Sequence, residues 1–234
     1  MIPGSLVALT PGRLRGGDPA GRGAALRAIE AAVEGGVRAL LVREYGLEDG
    51  PLLAFARDAA SVLRSADGPT WFGMHDRAHL AAAVGADAVQ LGGRSLPPED
   101  ARSVVPKGVA LGLSTHTGDD PHALDGSVDF ALHAPVFVPH SKPAPEGGPL
   151  GPEAAAAFAE RAAVPVLALG GIDEGTLAEL ERCGPARSAL AGAACIGGLW
   201  GTAGPSGAYD LGAIRERAGR LTERARSLFE GDPS

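Results

Sequence analysis

The segment PVLALGGIDEGTLAEL, residues 165–180, runs from a short apolar stretch through Gly170 and Gly171 into a segment with Asp173 and Glu174 near its start. An apolar run of this length, ended by glycine, reads as a strand covered on both faces, and an acidic first turn reads as the start of a helix. The segment is one βα unit. Equivalent units recur along the chain: strands are expected at 5–9, 38–42, 70–74, 87–91, 109–113, 129–136, 165–169 and 187–191. Helices are expected at 21–34, 52–64, 77–84, 98–104, 151–161, 173–182 and 211–228. Eight strands with a helix after most of them give an α/β fold, a single closed (β/α)8 TIM barrel spanning 1–234. The C-terminal segment, about 207–230, supplies a final amphipathic helix closing the barrel. An open doubly wound sheet is the competing architecture, because eight strands fit it too.

The composition allows one domain of this size. Apolar residues make up 45% of 234 positions and charged residues 21%, enough for a sizeable core, but aromatics are only 4%, so Ala, Val and Leu must build it. A net charge of −7 argues against a general nucleic-acid binder, which presents a basic surface. Cys183 and Cys195 have neither metal-ligand company nor the number for a disulfide framework. The start, MIPGSLVALT, lacks a basic region and has too short an apolar stretch for a secretory signal, and no run approaches the roughly 18 apolar residues of a membrane span. A cytoplasmic protein without a membrane or nucleic-acid partner is expected; a homo-oligomer is allowed, but the oligomeric state is not legible.

In a (β/α)8 barrel the loops after the strands form the active face. The strand ends carry Thr10, Arg43-Glu44-Tyr45, His75-Asp76, Gly92-Gly93, Ser114-Thr115-His116, Ser141-Lys142, Gly170-Gly171 and Gly192-Ala193. This set suggests an anion site. Gly170 and Gly171 before a helix would let backbone N–H groups approach a phosphate, or would simply make a tight turn. Lys142 and Lys107 are the only lysines among 21 cationic residues, and Lys142 stands beside the seventh strand, where a flexible ammonium suits a phosphate oxygen. The sequence HDRAH spaces His75 and His79 as a helical zinc pair would, but His75 should fall at the strand end. A Mg²⁺ ion held partly by the ligand's own phosphates would need only Asp76, whose alternative role is a helix N-cap. All six histidines lie between positions 75 and 140.

With these residues in hand, the chain resembles the thiamine phosphate synthase/TenI family from Leu6 to about Ala194. The resemblance is carried by Leu40-Leu-Val-Arg-Glu44, the run from His75 to Gly92, Gly112-Leu-Ser-Thr-His-Thr117, Ala134-Pro-Val-Phe137 with Ser141-Lys142, and Val166-Leu-Ala-Leu-Gly-Gly-Ile172. It implies a (β/α)8 barrel acting on a small phosphorylated heterocycle. The synthase branch couples a hydroxymethylpyrimidine diphosphate to a thiazole phosphate, releasing pyrophosphate with Mg²⁺. The resemblance further implies that Arg43 holds the diphosphate, that Asp76 binds the metal, that Ser114 and Lys142 contact pyrophosphate, and that Ser141 adds a hydroxyl beside the lysine. The backbone of Gly170, Gly171, Gly192 and Ala193 would cradle the thiazole phosphate.

The sequence also departs from the family. Leu41 and Tyr45 stand where the synthase carries a glutamine and a lysine, and His75 stands for an asparagine. Gly92-Gly-Arg-Ser95 replaces the stretch supplying a second metal carboxylate, and Pro139 replaces a threonine. The TenI branch, which isomerises a thiazole carboxylate phosphate, needs no diphosphate or Mg²⁺. Its catalytic histidine would align with Pro135, and His133, two residues away on a strand, would share that face and could serve instead; His116 is the other candidate. A non-catalytic phosphate-ligand binder on the same barrel is the third reading.

Overall fold

Eight short strands pair only in parallel and close on themselves: β1 (Leu6–Leu9), β2 (Ala39–Val42), β3 (Trp71–His75), β4 (Ala88–Leu91), β5 (Ala110–Thr115), β6 (Phe130–His133), β7 (Val166–Leu169) and β8 (Gly192–Cys195). The structure is a computed structural model and describes residues 3–139, 148–184, 189–201 and 208–230. The register Val7↔Ala194 between β1 and β8 closes the ring, so the expected barrel is the fold and the open sheet is excluded.

Strand alternation sorts the side chains into two layers. Val7, Leu9, Ala39, Leu41, Trp71, Ala88, Ala110, Phe130, Leu132, Leu167 and Ala194 point inward and pack together. Their neighbours, such as Leu6, Ala8, Leu40, Val42, Phe72, Met74, Val89, Leu111 and Ala131, belong to the core beneath the helices. Because most inward positions are alanine or leucine, Trp71 and Phe130 fill the middle, edge to face with centroids 6.0 Å apart. Glycine makes room for them. A Cβ on Gly73 would lie 2.7 Å from the Trp71 ring, and one on Gly112 would lie 2.3 Å from Phe130 and 2.2 Å from the Gln90 amide oxygen. Overpacking at such a site costs about 1–3 kcal/mol. Gly112→Ala is therefore expected to lower the urea midpoint by that free energy; an unchanged midpoint would show that the barrel centre is loosely packed.

Around the barrel lie α1 (Pro19–Glu34), α2 (Asp49–Arg64), α3 (Ala81–Val84), α4 (Pro98–Val104), α5 (Pro152–Arg161), α6 (Glu174–Arg182), α7 (Gly197–Trp200) and α8 (Leu211–Phe229). The expected helix at 77–84 begins later, in a 3₁₀ turn at Ala78–Leu80, because Asp76 and Arg77 adopt left-handed φ values of 60° and 53° that no helix accommodates. Between β5 and β6 there is only a 3₁₀ turn, Pro121–Leu124. The eighth strand falls at 192–195 instead of 187–191; of the expected range, 187 and 188 lie outside the described residues. α6 starts at a capping box in which Asp173 Oδ1 accepts the Thr176 N–H at 2.9 Å and Thr176 Oγ1 accepts the Asp173 N–H at 2.8 Å. The Trp200 indole of α7 donates to the Leu9 carbonyl, tying the last strand's loop to the first strand.

Candidate active site

The strands end around a cavity of about 680 Å³ at the C-terminal mouth of the barrel, and the loops after β1 to β8 all contribute to its wall. From β2, alternation sends Arg43 and Tyr45 to the cavity and Glu44 away from it. Glu44 is buried and its carboxylate accepts the Gly12 N–H at 3.1 Å and the Leu14 N–H at 2.8 Å, so it holds the loop after β1. The Arg43 N–H donates to Thr10 Oγ1 at 2.7 Å, and its guanidinium carbon sits 4.4 Å from the centre of the Tyr45 ring. Tyr45 in turn meets His75 edge to face, its hydroxyl 3.2 Å from Nε2. Burial first, then the Arg43 charge, pulls the His75 pKa down to about 4, so the imidazole is neutral near pH 7.

Asp76 follows, with its N–H held by the Gln90 carbonyl at 2.8 Å and its carboxylate 3.7 Å from Arg77, which also pairs with Asp49 at 2.9 Å. His79 turns to the surface, where Nε2 lies 2.9 Å from Asp49, so the expected zinc spacing assembles no site. Among the described residues no group of three or more His, Cys, Asp or Glu side chains could hold a metal.

Ser114, at the cavity wall on β5, accepts a hydrogen bond from Gln90 Nε2 at 3.1 Å. Gln90 is not among the residues that the strand-end reading marks. It is fully buried within an otherwise apolar strand, also donates to the Leu91 carbonyl, and leaves Oε1 with no partner among the described residues. Since Ser114 Oγ receives the amide's proton, its own hydroxyl is left to donate elsewhere. Arg94, exposed on the loop after β4, and Arg77 are further wall residues that sequence reasoning missed. Beside it, Ser95 Oγ accepts the Gly92 N–H at 2.9 Å and the Ser95 N–H donates back to Gly92, so this serine closes a turn.

Gly170 and Gly171 line the cavity with φ of 95° and 67°. A Cβ on Gly170 would stand 2.7 Å from Pro135, and one on Gly171 would stand 2.5 Å from the Val138 carbonyl, so glycine is required here by the close approach of the loop after β6. Gly192 and Ala193 are corrected: they begin β8 instead of following it, and the Ala193 N–H is engaged by the Ser5 carbonyl at 2.9 Å. The wall after β8 is made by Ile196 and Gly197. His133 is corrected too. It is 2% exposed, bonds Thr115 Oγ1 at 2.8 Å and stacks on Phe158 of α5 at 3.9 Å, which puts it on the outer face of the barrel and off the cavity wall. His116 does reach the wall. Ser141 and Lys142 lie outside the described residues.

Residues 15–194 match the family model described as thiamine monophosphate synthase. The chain belongs to the thiamine monophosphate synthase family. Two members are the thiamine-phosphate synthase of Anaeromyxobacter dehalogenans, 33% identical over 83% of this chain and 84% of that protein, and that of Thermus thermophilus, 34% identical over 70% and 78%. In fold, the chain is similar to a thiamine phosphate pyrophosphorylase from Pyrococcus furiosus, with a TM-score of 0.73 over 96% of both chains at 22% identity.

The family implies Mg²⁺, and the donors among the described residues do not compose a site for it. Asp76 is the single carboxylate on the described wall, against three guanidinium groups, Arg43, Arg77 and Arg94, and one of these already faces it. Such a wall favours an anion directly, because cations at the edge of a low-dielectric cleft raise the local concentration of negative ligands and repel a divalent ion.

Proposed function

We propose that this protein is a thiamine phosphate synthase acting in thiamine biosynthesis: it joins hydroxymethylpyrimidine diphosphate to thiazole phosphate and releases pyrophosphate. The observation that carries the proposal is the arginine-lined mouth of the barrel in a chain of net charge −7, within a family whose members bear that name. The C–O bond to the diphosphate breaks with its electron pair leaving on pyrophosphate, while the thiazole nitrogen bonds to the methylene carbon. Charge therefore develops on the leaving group, and what the site must supply is preorganised donors aimed at it. Arg43 and the Ser114 hydroxyl would serve, with Lys142 and Ser141 as further contacts from the loop after β6. The neutral His75 and the glycine turns at 170–171 would position the two heterocyclic substrates. No acid–base pair is needed, and the outward-facing His133 is no obstacle to this chemistry.

Among the described residues no helix is long and apolar enough to cross a membrane. A cytoplasmic location, where small phosphorylated substrates are met, is part of the same proposal. The experiment is incubation of the purified protein with both substrates, with product read by mass. Thiamine phosphate and equimolar pyrophosphate are expected. Failure to form them, together with isomerisation of a thiazole carboxylate phosphate, would transfer the assignment to the tautomerase reaction.

A further inference from the structure

We infer that the diphosphate subsite of this protein works without a divalent cation, its charge being met by Arg94 acting with Arg43. The inference rests on the synthase reading and deepens it.

Three observations converge. First, Asp76 is alone as a carboxylate on the described wall and its charge is shared with Arg77 at 3.7 Å. A metal held there would have one carboxylate ligand among the described residues and would sit among guanidinium groups. Second, the loop after β4 offers no second oxyanion: the Ser95 hydroxyl accepts the Gly92 N–H, and the neighbouring position is Arg94. Third, Arg94 has no ion-pair or hydrogen-bond partner for its side chain among the described residues, nor does the Arg43 guanidinium, which lies on Tyr45. Several arginines elsewhere are matched by carboxylates: Arg22 with Asp58, Arg102 with Asp129, Arg215 with Glu34 and Arg224 with Glu181. A protein with excess acid that leaves two guanidinium groups unmatched on one cavity wall has a site for a polyanion.

Two guanidinium groups carry the same charge as one Mg²⁺ and add planar, forked donors that fit phosphate oxygens in pairs. In phosphoryl chemistry an arginine performs the same electrostatic task as a metal, stabilising charge on oxygens that are leaving. Tyr45 fits this scheme. Its ring supports Arg43 from below, so the guanidinium is held in place by stacking instead of by a carboxylate that would neutralise it.

The test is calorimetric titration with pyrophosphate of wild type, Arg94→Ala and Arg94→Lys, in EDTA and again with Mg²⁺, with turnover followed in both buffers. Wild type is expected to bind pyrophosphate in EDTA, with Mg²⁺ changing the affinity less than about twofold. Arg94→Ala should bind at least tenfold more weakly in EDTA, and the lysine variant should fall between. Arg94 is exposed on a loop, so both variants should fold, which circular dichroism checks. Binding by wild type only when Mg²⁺ is present overturns the inference and leaves the synthase reading standing. Metal-free binding that Arg94→Ala does not weaken overturns the assignment to Arg94. Absence of pyrophosphate binding in either buffer overturns both the inference and the function on which it rests.

Discussion

Arg43→Ala is expected to lower kcat/KM by about 10²–10³, the loss typical of removing one preorganised donor from a site where charge develops. The side chain reaches the cavity with no carboxylate partner among the described residues, while its backbone N–H stays bonded to Thr10 and its neighbour Glu44 keeps holding the loop after β1. Truncation thus removes the guanidinium without releasing the strand end, and the thermal midpoint should move little. Arg43→Lys should recover part of the rate: the charge returns, but the planar fork and the stack on Tyr45 do not. Pyrophosphate affinity should fall in parallel with kcat/KM in the alanine variant. Wild-type kcat/KM in Arg43→Ala, with the protein folded, would exclude Arg43 from the anion site.

The barrel was legible because buried parallel strands leave a strong trace, a short apolar run between glycine turns, repeated at βα spacing. The eighth strand was misplaced because residues 189–195 are all apolar and, Leu190 apart, small, so nothing marks where pairing starts. Gly192 looked like a terminator, whereas it lies inside β8, where a Cβ would meet the Ser5 carbonyl at 3.0 Å. Arg43, His75, Asp76, Ser114, Gly170 and Gly171 could be found because chemistry on this fold gathers at strand ends, and all six line the cavity.

The His133 expectation failed for a definable reason: period-2 alternation was extended past the end of the strand. Phe130 and Leu132 point inward, so His133 points outward, and the chain leaves the strand after His133, so that Pro135 lines the wall although His133 does not. Gln90 and Arg94 went unseen because one sits inside an apolar strand and the other in a turn that deviates from the family's acidic stretch. A buried amide interrupting an apolar strand one residue before its end was the signal for the first, since such a group must be satisfied by something near the mouth.

The same burial that removes His133 from the chemistry makes it an acid sensor of the fold. Its pKa is drawn down to about 4 by desolvation, with Asp119 opposing and His116 adding to the shift, and His75 is drawn equally low inside the cavity. The unfolded chain protonates these rings near pH 6.5, the folded chain only near 4. Between those values the unfolded state holds more protons, so stability must fall as pH falls from about 6.5 to about 4, and it stays fully expressed above that window. One proton of difference corresponds to about 1.4 kcal/mol per pH unit, so His133, being buried, can contribute on the order of 3 kcal/mol across the window. Urea unfolding at a series of pH values should show this slope in the wild type. His133→Phe keeps a ring stacked on Phe158 but leaves the Thr115 hydroxyl without its partner, so it should be less stable at pH 7. Its stability should nevertheless decline about half as steeply toward pH 4, with His75 responsible for the remainder. A variant whose slope matches the wild type would mean that His133 is protonated in the folded protein and that the buried stack tolerates the charge.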